Sequence, residues 1–284
     1  MHWWPCLLLL LGCVGSSPAP TPPVATSKTP IGVLSFNIRY GSATDGPDAW
    51  PLRRESVAQL LVTSHAAWIG VQEALDFQLE YLDSVLVHHR RVGQGREGGT
   101  RGEHAAIYYD TRRFELLQSE DRWLSETPER AGSVGWDAAL TRIATHAVLR
   151  ERASGKEWSV WNTHFDHRGS RARTESARLL VQWIQTDQRP TVLMGDLNAG
   201  EDSAPLRLLR SAGLQDTFRT IHPQRAEVGT FHGFRGGSVG DKIDYVLVDN
   251  RSETLDANII DSRGAHGRWP SDHHAVHALL MPTD

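Results

Sequence analysis

The chain has 284 residues, 39% of them hydrophobic, enough for one large domain or two small ones around a sizeable core. Its formal charge of -4 argues against a dedicated, strongly basic nucleic-acid binder. It does not exclude a nuclease, because a bound cation can supply positive charge locally.

The first element along the chain is an apolar run at 7–11, flanked by Trp3, Trp4 and Val14. It is too short to cross a bilayer and fits the apolar part of a signal peptide, read here as residues 1–17, although no Lys or Arg precedes it. Leu10-Leu11-Gly12-Cys13 resembles a bacterial lipobox, in which Cys13 would carry lipid; cleavage after Ser17 or Ala19 is the alternative. Both cysteines, Cys6 and Cys13, lie in this segment, so the rest has neither a disulfide nor a thiolate metal site. Residues 18–30 are rich in Pro, Ser and Thr and read as an extended tether. Export is therefore expected, to the periplasm, to a membrane as a lipoprotein, or to the medium.

Residues 31–284 read as one domain. Strand-like runs rich in β-branched and aromatic residues recur at 31–38, 67–72, 105–109, 142–149, 158–164, 191–194, 243–248 and 275–280. Helical patterns occupy 51–61, with Pro51 at its start, 170–184, with Ala177, Leu180, Val181 and Ile184 on one face, and the shorter 204–209. Strands outnumber helices and do not alternate strictly with them. This predicts two packed sheets with helices outside, not a doubly wound parallel sheet.

Polar residues of catalytic type recur at the ends of these strands: Asn37, Glu73, His164, Asp196, Asp244, and the pair Asp272-His273. Strand ends on a rigid sandwich suit a preorganised site. Phosphoester hydrolysis needs a cation on the phosphoryl oxygens, an oriented water and a stabilised leaving oxygen. Hard cations take carboxylate and amide oxygens. In Gly195-Asp196-Leu197-Asn198 the Asp and Asn leave a strand on the same side, one to orient water, the other to hold a phosphoryl oxygen; an Asx turn capping a helix would use the same residues. Ser271-Asp272-His273-His274 offers an Asp–His pair, or a polar turn. In Asn162-Thr163-His164-Phe165-Asp166-His167-Arg168, His164 suits a phosphate contact and Arg168 a clamp, whereas Asp166 also fits a helix cap. Glu73 and Asp244 follow or open buried-looking strands, and a carboxylate there needs a metal or a partner such as a histidine.

The ordered set Phe36-Asn37, Gln72-Glu73, Asn162-Thr163-His164, Gly195-Asp196-Leu197-Asn198, Ile243-Asp244-Tyr245 and Ser271-Asp272-His273 resembles the endonuclease/exonuclease/phosphatase superfamily, across essentially all of residues 31–284. The resemblance implies an α/β fold, a four-layer α/β/β/α sandwich of two packed mixed β-sheets flanked by helices. It implies Glu73 as principal ligand of Mg²⁺, or of Mn²⁺ in its place, supported by Asn37 and by Asp272. Asp196 and Asn198 would orient water and bind phosphate, His164 would contact a phosphoryl oxygen, and His273, held by Asp244, would act at the phosphate. Arg39, Glu103, His104, Asp166 and Arg168 are further candidates near the mouth, and Phe231 lies in a Gly-rich loop that could pack beside substrate.

The expected activity is hydrolysis of a phosphodiester or phosphomonoester by a monomer. Nucleic acid is not indicated by charge, and a membrane enters only through a lipid on Cys13. Two rivals stand beside it. One is a zinc metallohydrolase of another fold using His164, His167 and the 272–277 histidines; the other is a non-catalytic surface lipoprotein.

Overall fold

Two strand–helix–strand units organise the chain in the computed structural model, which describes residues 1–2, 29–261, 263–264 and 267–283. The apolar run, Cys13 and nearly all of the tether lie outside the described residues. In the first unit Ile31–Asn37 (β1) pairs in parallel with Trp68–Ala74 (β2) across the helix Trp50–Thr63 (α1). In the second, Glu157–His164 (β7) pairs in parallel with Thr191–Asp196 (β8) across Ser170–Gln185 (α3). Each parallel pair forms the centre of one six-stranded sheet, and every other pairing is antiparallel.

In the first sheet, Ser252–Ile260 (β11) and Ala275–Pro282 (β12) flank β1, while His104–Asp110 (β4) and His89–Val92 (β3) flank β2. In the second, Phe114–Trp123 (β5) and Ile143–Glu151 (β6) flank β7, while Asp244–Val248 (β10) and Gln215–Asp216 (β9) flank β8. The period of two along each strand explains the packing. Ile31 and Val33 of β1 point into the core between the sheets with Trp68, Trp158, Val160 and Met194. Leu34 and Phe36 of the same strand point outward against Val57 and Leu61 of α1 and against Leu79 and Leu82 of Asp76–Val85 (α2). Across the molecule Trp161 and Leu193 pack on Leu180 and Ile184 of α3 and on Leu206 and Leu209 of Ala204–Ser211 (α4). The layers are thus α/β/β/α, two mixed sheets flanked by helices. A short helix, Thr217–Ile221 (α5), adds Phe218 to the inner core.

A polar link crosses between the sheets close to the site. Asn162 of β7 donates through Nδ2 to the carbonyls of Val71 and Ala106 and accepts from Gln72 Nε2 at 2.7 Å. All of these groups are buried, where unpaired polar atoms are costly. Gly70 makes room for the link: a Cβ there would stand 2.8 Å from Asn162 Oδ1.

The structure adds strands β3, β5, β9 and β11 and helices α2 and α5 to the elements predicted above. β3, β5, β9 and β11 are the outermost strands of the sheets. They face solvent and carry charge, as in Glu115, Glu120, Asp121 and Arg122 of β5, so the alternation that marks a strand is blurred.

Candidate active site

Four parallel strands end at the same edge of the sandwich. Asn37 is the last residue of β1 and pairs in register with Gln72, beside Glu73 of β2. His164 is the last residue of β7 and pairs with Asp196, the last of β8, which in turn faces Asp244, the first of antiparallel β10. The two strand–helix–strand units therefore deliver their terminal polar side chains to one seam. There they border a cavity of about 430 Å³ lined by Arg39, Glu73, Arg142, His164, Asp196, Asn198, Phe231 and His273, among others.

A continuous set of hydrogen bonds joins these groups. Asn37 Nδ2 donates to Glu73 Oε1 and to Asp196 Oδ2, both at 3.0 Å. The backbone N–H of Tyr40 donates to Glu73 Oε2 at 3.0 Å. Asp196 Oδ1 accepts from the Asn198 backbone at 2.9 Å, and Asn198 Nδ2 reaches His164 Nε2 at 3.1 Å. His273 Nδ1 lies 2.9 Å from Asp244 Oδ2, and its Nε2 points toward Asp196 Oδ2, 3.8 Å away. Ser271 Oγ donates to the Asn37 carbonyl at 2.7 Å and to Asp272 Oδ1 at 3.2 Å, tying the last loop to β1.

The loops around the seam are anchored by a buried cation. Arg53 of α1, fully buried, donates to the carbonyls of Asp48, Ile38, Pro270 and Arg39. The loop before β10 holds the other side: Thr230 Oγ1 accepts from the backbones of Ile243 and Asp244, and His232 N–H donates to the Asp272 carbonyl. Phe231 stands edge-on to His273, with ring centroids 5.0 Å apart, and is half exposed.

The backbone is strained here. Six non-glycine residues among those described have positive φ, and three of them line this cavity: Arg39 at 58°, Glu73 at 61° and Asn198 at 46°. Glu73 also falls where the β2–β4 register shifts. Such backbone costs about 1 kcal/mol or more per residue and gathers where side chains must be aimed.

Electrostatics separate the two histidines. Burial, reinforced by Arg142 and His273, holds His164 well below the ordinary imidazole value, so it is neutral. Burial opposes the charge on His273 too, but Asp244, Asp196 and Asp272 outweigh it and raise His273 well above that value. Burial, with Asp244 alongside, pushes Asp196 up to about 7 against the pull of His273 and of the bonds from Asn37 and Asn198.

Two groupings could hold a cation. Ligand atoms of Asp196, Asp244 and His273 lie within 4.8 Å of one another. Yet His273 Nδ1 and Asp244 Oδ2 already satisfy each other, which favours a proton-holding pair. Glu73 and Asp272 line the cavity on either side of Asn37, whose Nδ2 faces Glu73 and whose Oδ1 accepts from the Arg39 backbone N–H. Burial raises Asp272, and the nearby Glu73 charge raises it further, a repulsion that a divalent cation would relieve. The two carboxylates fit a hard cation, and Asn37 would offer its oxygen to the same ion on turning its amide over.

Eight of the residues singled out from the sequence meet at this seam: Asn37, Glu73, His164, Asp196, Asn198, Asp244, Asp272 and His273. Arg39 and Glu103 line the cavity as well, paired with Asp45 at 3.0 Å and Arg96 at 2.7 Å respectively. Three candidates stand elsewhere. His104 is buried, with Nδ1 3.1 Å from the Ala74 carbonyl, and does not line the cavity. Asp166 turns away to accept from the backbones of Leu140, Arg168 and Gly169 just before α3; burial is outweighed by backbone bonds from Gly169, Arg168 and Ala139 and by the Arg142 charge, which hold its carboxyl at about 2. Arg168 is exposed outside the cavity lining. Arg142 and His167 do line it; Arg142 was not among the sequence candidates, and His167 entered only as a ligand in the rival zinc reading. The signal for Arg142 was weak, because it is one of many arginines and opens an apolar strand.

A sequence profile described as the Endonuclease/Exonuclease/phosphatase family matches residues 34–273. An endonuclease/exonuclease/phosphatase from Bacteroides vulgatus is 32% identical, with 90% of this chain and 100% of that chain covered and a TM-score of 0.83. The mannosyl-6-phosphatase Bt3783 of Bacteroides thetaiotaomicron is 30% identical, with 88% and 99% covered and a TM-score of 0.82. Protein angel of Drosophila melanogaster is 27% identical over 213 residues; that match takes in 71% of this chain and spans 58% of the other protein's length. Members of the matching family are hydrolases that act on phosphoester bonds and use divalent metals. With its profile, its fold and a seam of this composition, the chain belongs to the endonuclease/exonuclease/phosphatase family.

Proposed function

We propose that the protein is a divalent-metal-dependent phosphoesterase that hydrolyses a phosphate ester by in-line attack of water, on substrates of the sugar-phosphate class. The observation that carries this reading is the hydrogen-bonded chain Glu73–Asn37–Asp196–Asn198–His164 beside His273–Asp244 at one cavity. Glu73, Asn37 and Asp272 would hold Mg²⁺ or Mn²⁺, and the cation would neutralise charge on the phosphoryl and leaving oxygens. Asp196, raised to about 7, orients a water and accepts its proton. Asn198 holds a phosphoryl oxygen and neutral His164 contacts another. Cationic His273, fixed by Asp244, stabilises the charge that develops on the phosphoryl group.

Two facts support a small substrate. The site is a single cavity of about 430 Å³ with Phe231 and Tyr40 in its lining, of a size for one ring. A mannosyl-6-phosphatase is 30% identical over nearly its whole length. Export belongs to the same proposal, supported by the apolar run at 7–11 and the lipobox-like Cys13. The test is a panel of hexose phosphates, inositol phosphates, sphingomyelin, RNA and plasmid DNA, run with Mg²⁺, with Mn²⁺ and with chelator, beside His273→Ala. Chelator-sensitive release of phosphate from hexose phosphates, lost in the variant, is the expected result. Turnover that survives chelator and the substitution would sink the reading. For localisation, Cys13→Ser should release the protein from membranes; a wild type already soluble on fractionation would rule out the lipid.

A further inference from the structure

Arg142 is a cation in this cavity to which the roles above give no task. It is only 4% exposed, and its Nη1 is buried without any hydrogen-bond partner among the described residues. Its Nε stands 3.5 Å from Asp166 Oδ2, a long contact to a carboxylate already served by three backbone N–H groups. Of the other acids whose charge it feels, Glu103 is taken by Arg96 at 2.7 Å and Asp196 accepts from Asn37 and Asn198. A buried guanidinium left with an idle donor is costly. Arg142 Nη2 lies 3.1 Å from His167 Nδ1. Arginine can only donate, so Nδ1 accepts and the neutral imidazole carries its proton on Nε2. His167 is exposed and lines the same cavity, so its Nε2–H and the unpaired Nη1 of Arg142 are donors left over beside the site.

That surplus fits one difference between substrate types. A phosphodiester carries one negative charge, whereas a phosphomonoester carries close to two near neutral pH. We propose that Arg142, with His167, is the specificity-determining pair that takes the second negative charge of a phosphomonoester, so that the site selects monoesters over diesters. The inference rests on the phosphoesterase reading above and narrows it.

The test compares p-nitrophenyl phosphate with bis-p-nitrophenyl phosphate in wild type, Arg142→Gln, His167→Gln and His273→Ala. Alongside, calorimetry measures binding of inorganic phosphate and of dimethyl phosphate. Loss of a charge-assisted bond should lower the monoester-to-diester ratio of kcat/KM by about 30-fold in Arg142→Gln and about 5-fold in His167→Gln. Phosphate affinity should fall by a similar factor, with dimethyl phosphate affinity altered far less. An unchanged ratio in both variants, or equal weakening of the two anions, overturns the inference. If Arg142→Gln fails to fold, the ratio and the phosphate affinity of His167→Gln decide alone. A wild type active on either ester and dead as His273→Ala, but with a ratio indifferent to both positions, sinks this inference and spares the phosphoesterase reading. A wild type that turns over neither ester and binds neither anion sinks both.

Discussion

Asn37 Nδ2 lies 3.0 Å from Asp196 Oδ2, so the last residue of one sheet's central strand is bonded to the last residue of the other's. The same nitrogen reaches Glu73 at 3.0 Å. Asn37 thus sets the spacing between the carboxylate proposed to hold a cation and the one proposed to orient water. Asn37→Ala should lower activity about 100-fold, with much of the loss recovered at high metal concentration. A metal titration of the variant checks this. A loss that no amount of metal reverses would place the asparagine's role in water orientation alone.

The pairing of His273 with Asp244 makes a second prediction. Asp244 is fully buried and keeps the imidazole charged and oriented. Asp244→Asn should cut kcat by about 10²- to 10⁴-fold, and the alkaline limb of the pH–rate profile should move to lower pH. An unshifted limb would show that His273 does not titrate in that range.

Asp196 predicts the acid limb. Its carboxylate must be ionised to accept a proton, and burial beside Asp244 raises it to about 7, so kcat/KM should fall as pH drops below about 7. Linkage gives the stability sign. A carboxyl raised in the folded state binds more protons than in the unfolded chain, so its ionisation costs stability as pH rises from its unfolded value toward about 7. In chelator, Asp196→Asn should therefore be inactive yet melt higher than wild type at pH 8. Parallel thermal melts at pH 5 and pH 8 test this, and a lower melting point for the variant at pH 8 would refute the assignment.

The bridge at Asn162 predicts a stability effect away from the chemistry. Asn162→Ala removes the bonds to two buried carbonyls and the short bond from Gln72, which keeps only its 3.3 Å contacts to Ser35 Oγ and the Gly70 carbonyl, a loss of about 3 kcal/mol. Urea unfolding should show a lower midpoint with an unchanged slope. A flatter slope would mean that the sheets no longer unfold together.

The central strands were legible because both of their faces are buried. Every residue of β1 is inaccessible, and its apolar run shows this directly. The edge strands were not, since β5 and β11 have a single ladder partner each and exposed charges. Helix α2 buries only Gln78, Leu79 and Leu82, a stripe too narrow to stand out. The seam was legible for a related reason: carboxylates and imidazoles that end apolar strands have few uses except a shared site. His104, Asp166 and Arg168 look alike as letters, but their geometry depends on where each backbone turns, which spacing does not encode. Arg142 shows the converse, since its idle donor exists only once Asp166, His167 and the loop carrying Arg96 and Glu103 are brought beside it.

The left-handed backbone at Arg39, Glu73 and Asn198 bears on how this enzyme would respond to heat-driven directed evolution. Glycine relaxes each of those positions and removes the side chain that the seam needs. A library ranked by residual fold after heating would therefore enrich inert variants, with Glu73→Gly among the first. Thermal robustness and turnover would have to be screened together on every round, or the most durable descendants would have no reaction left to protect.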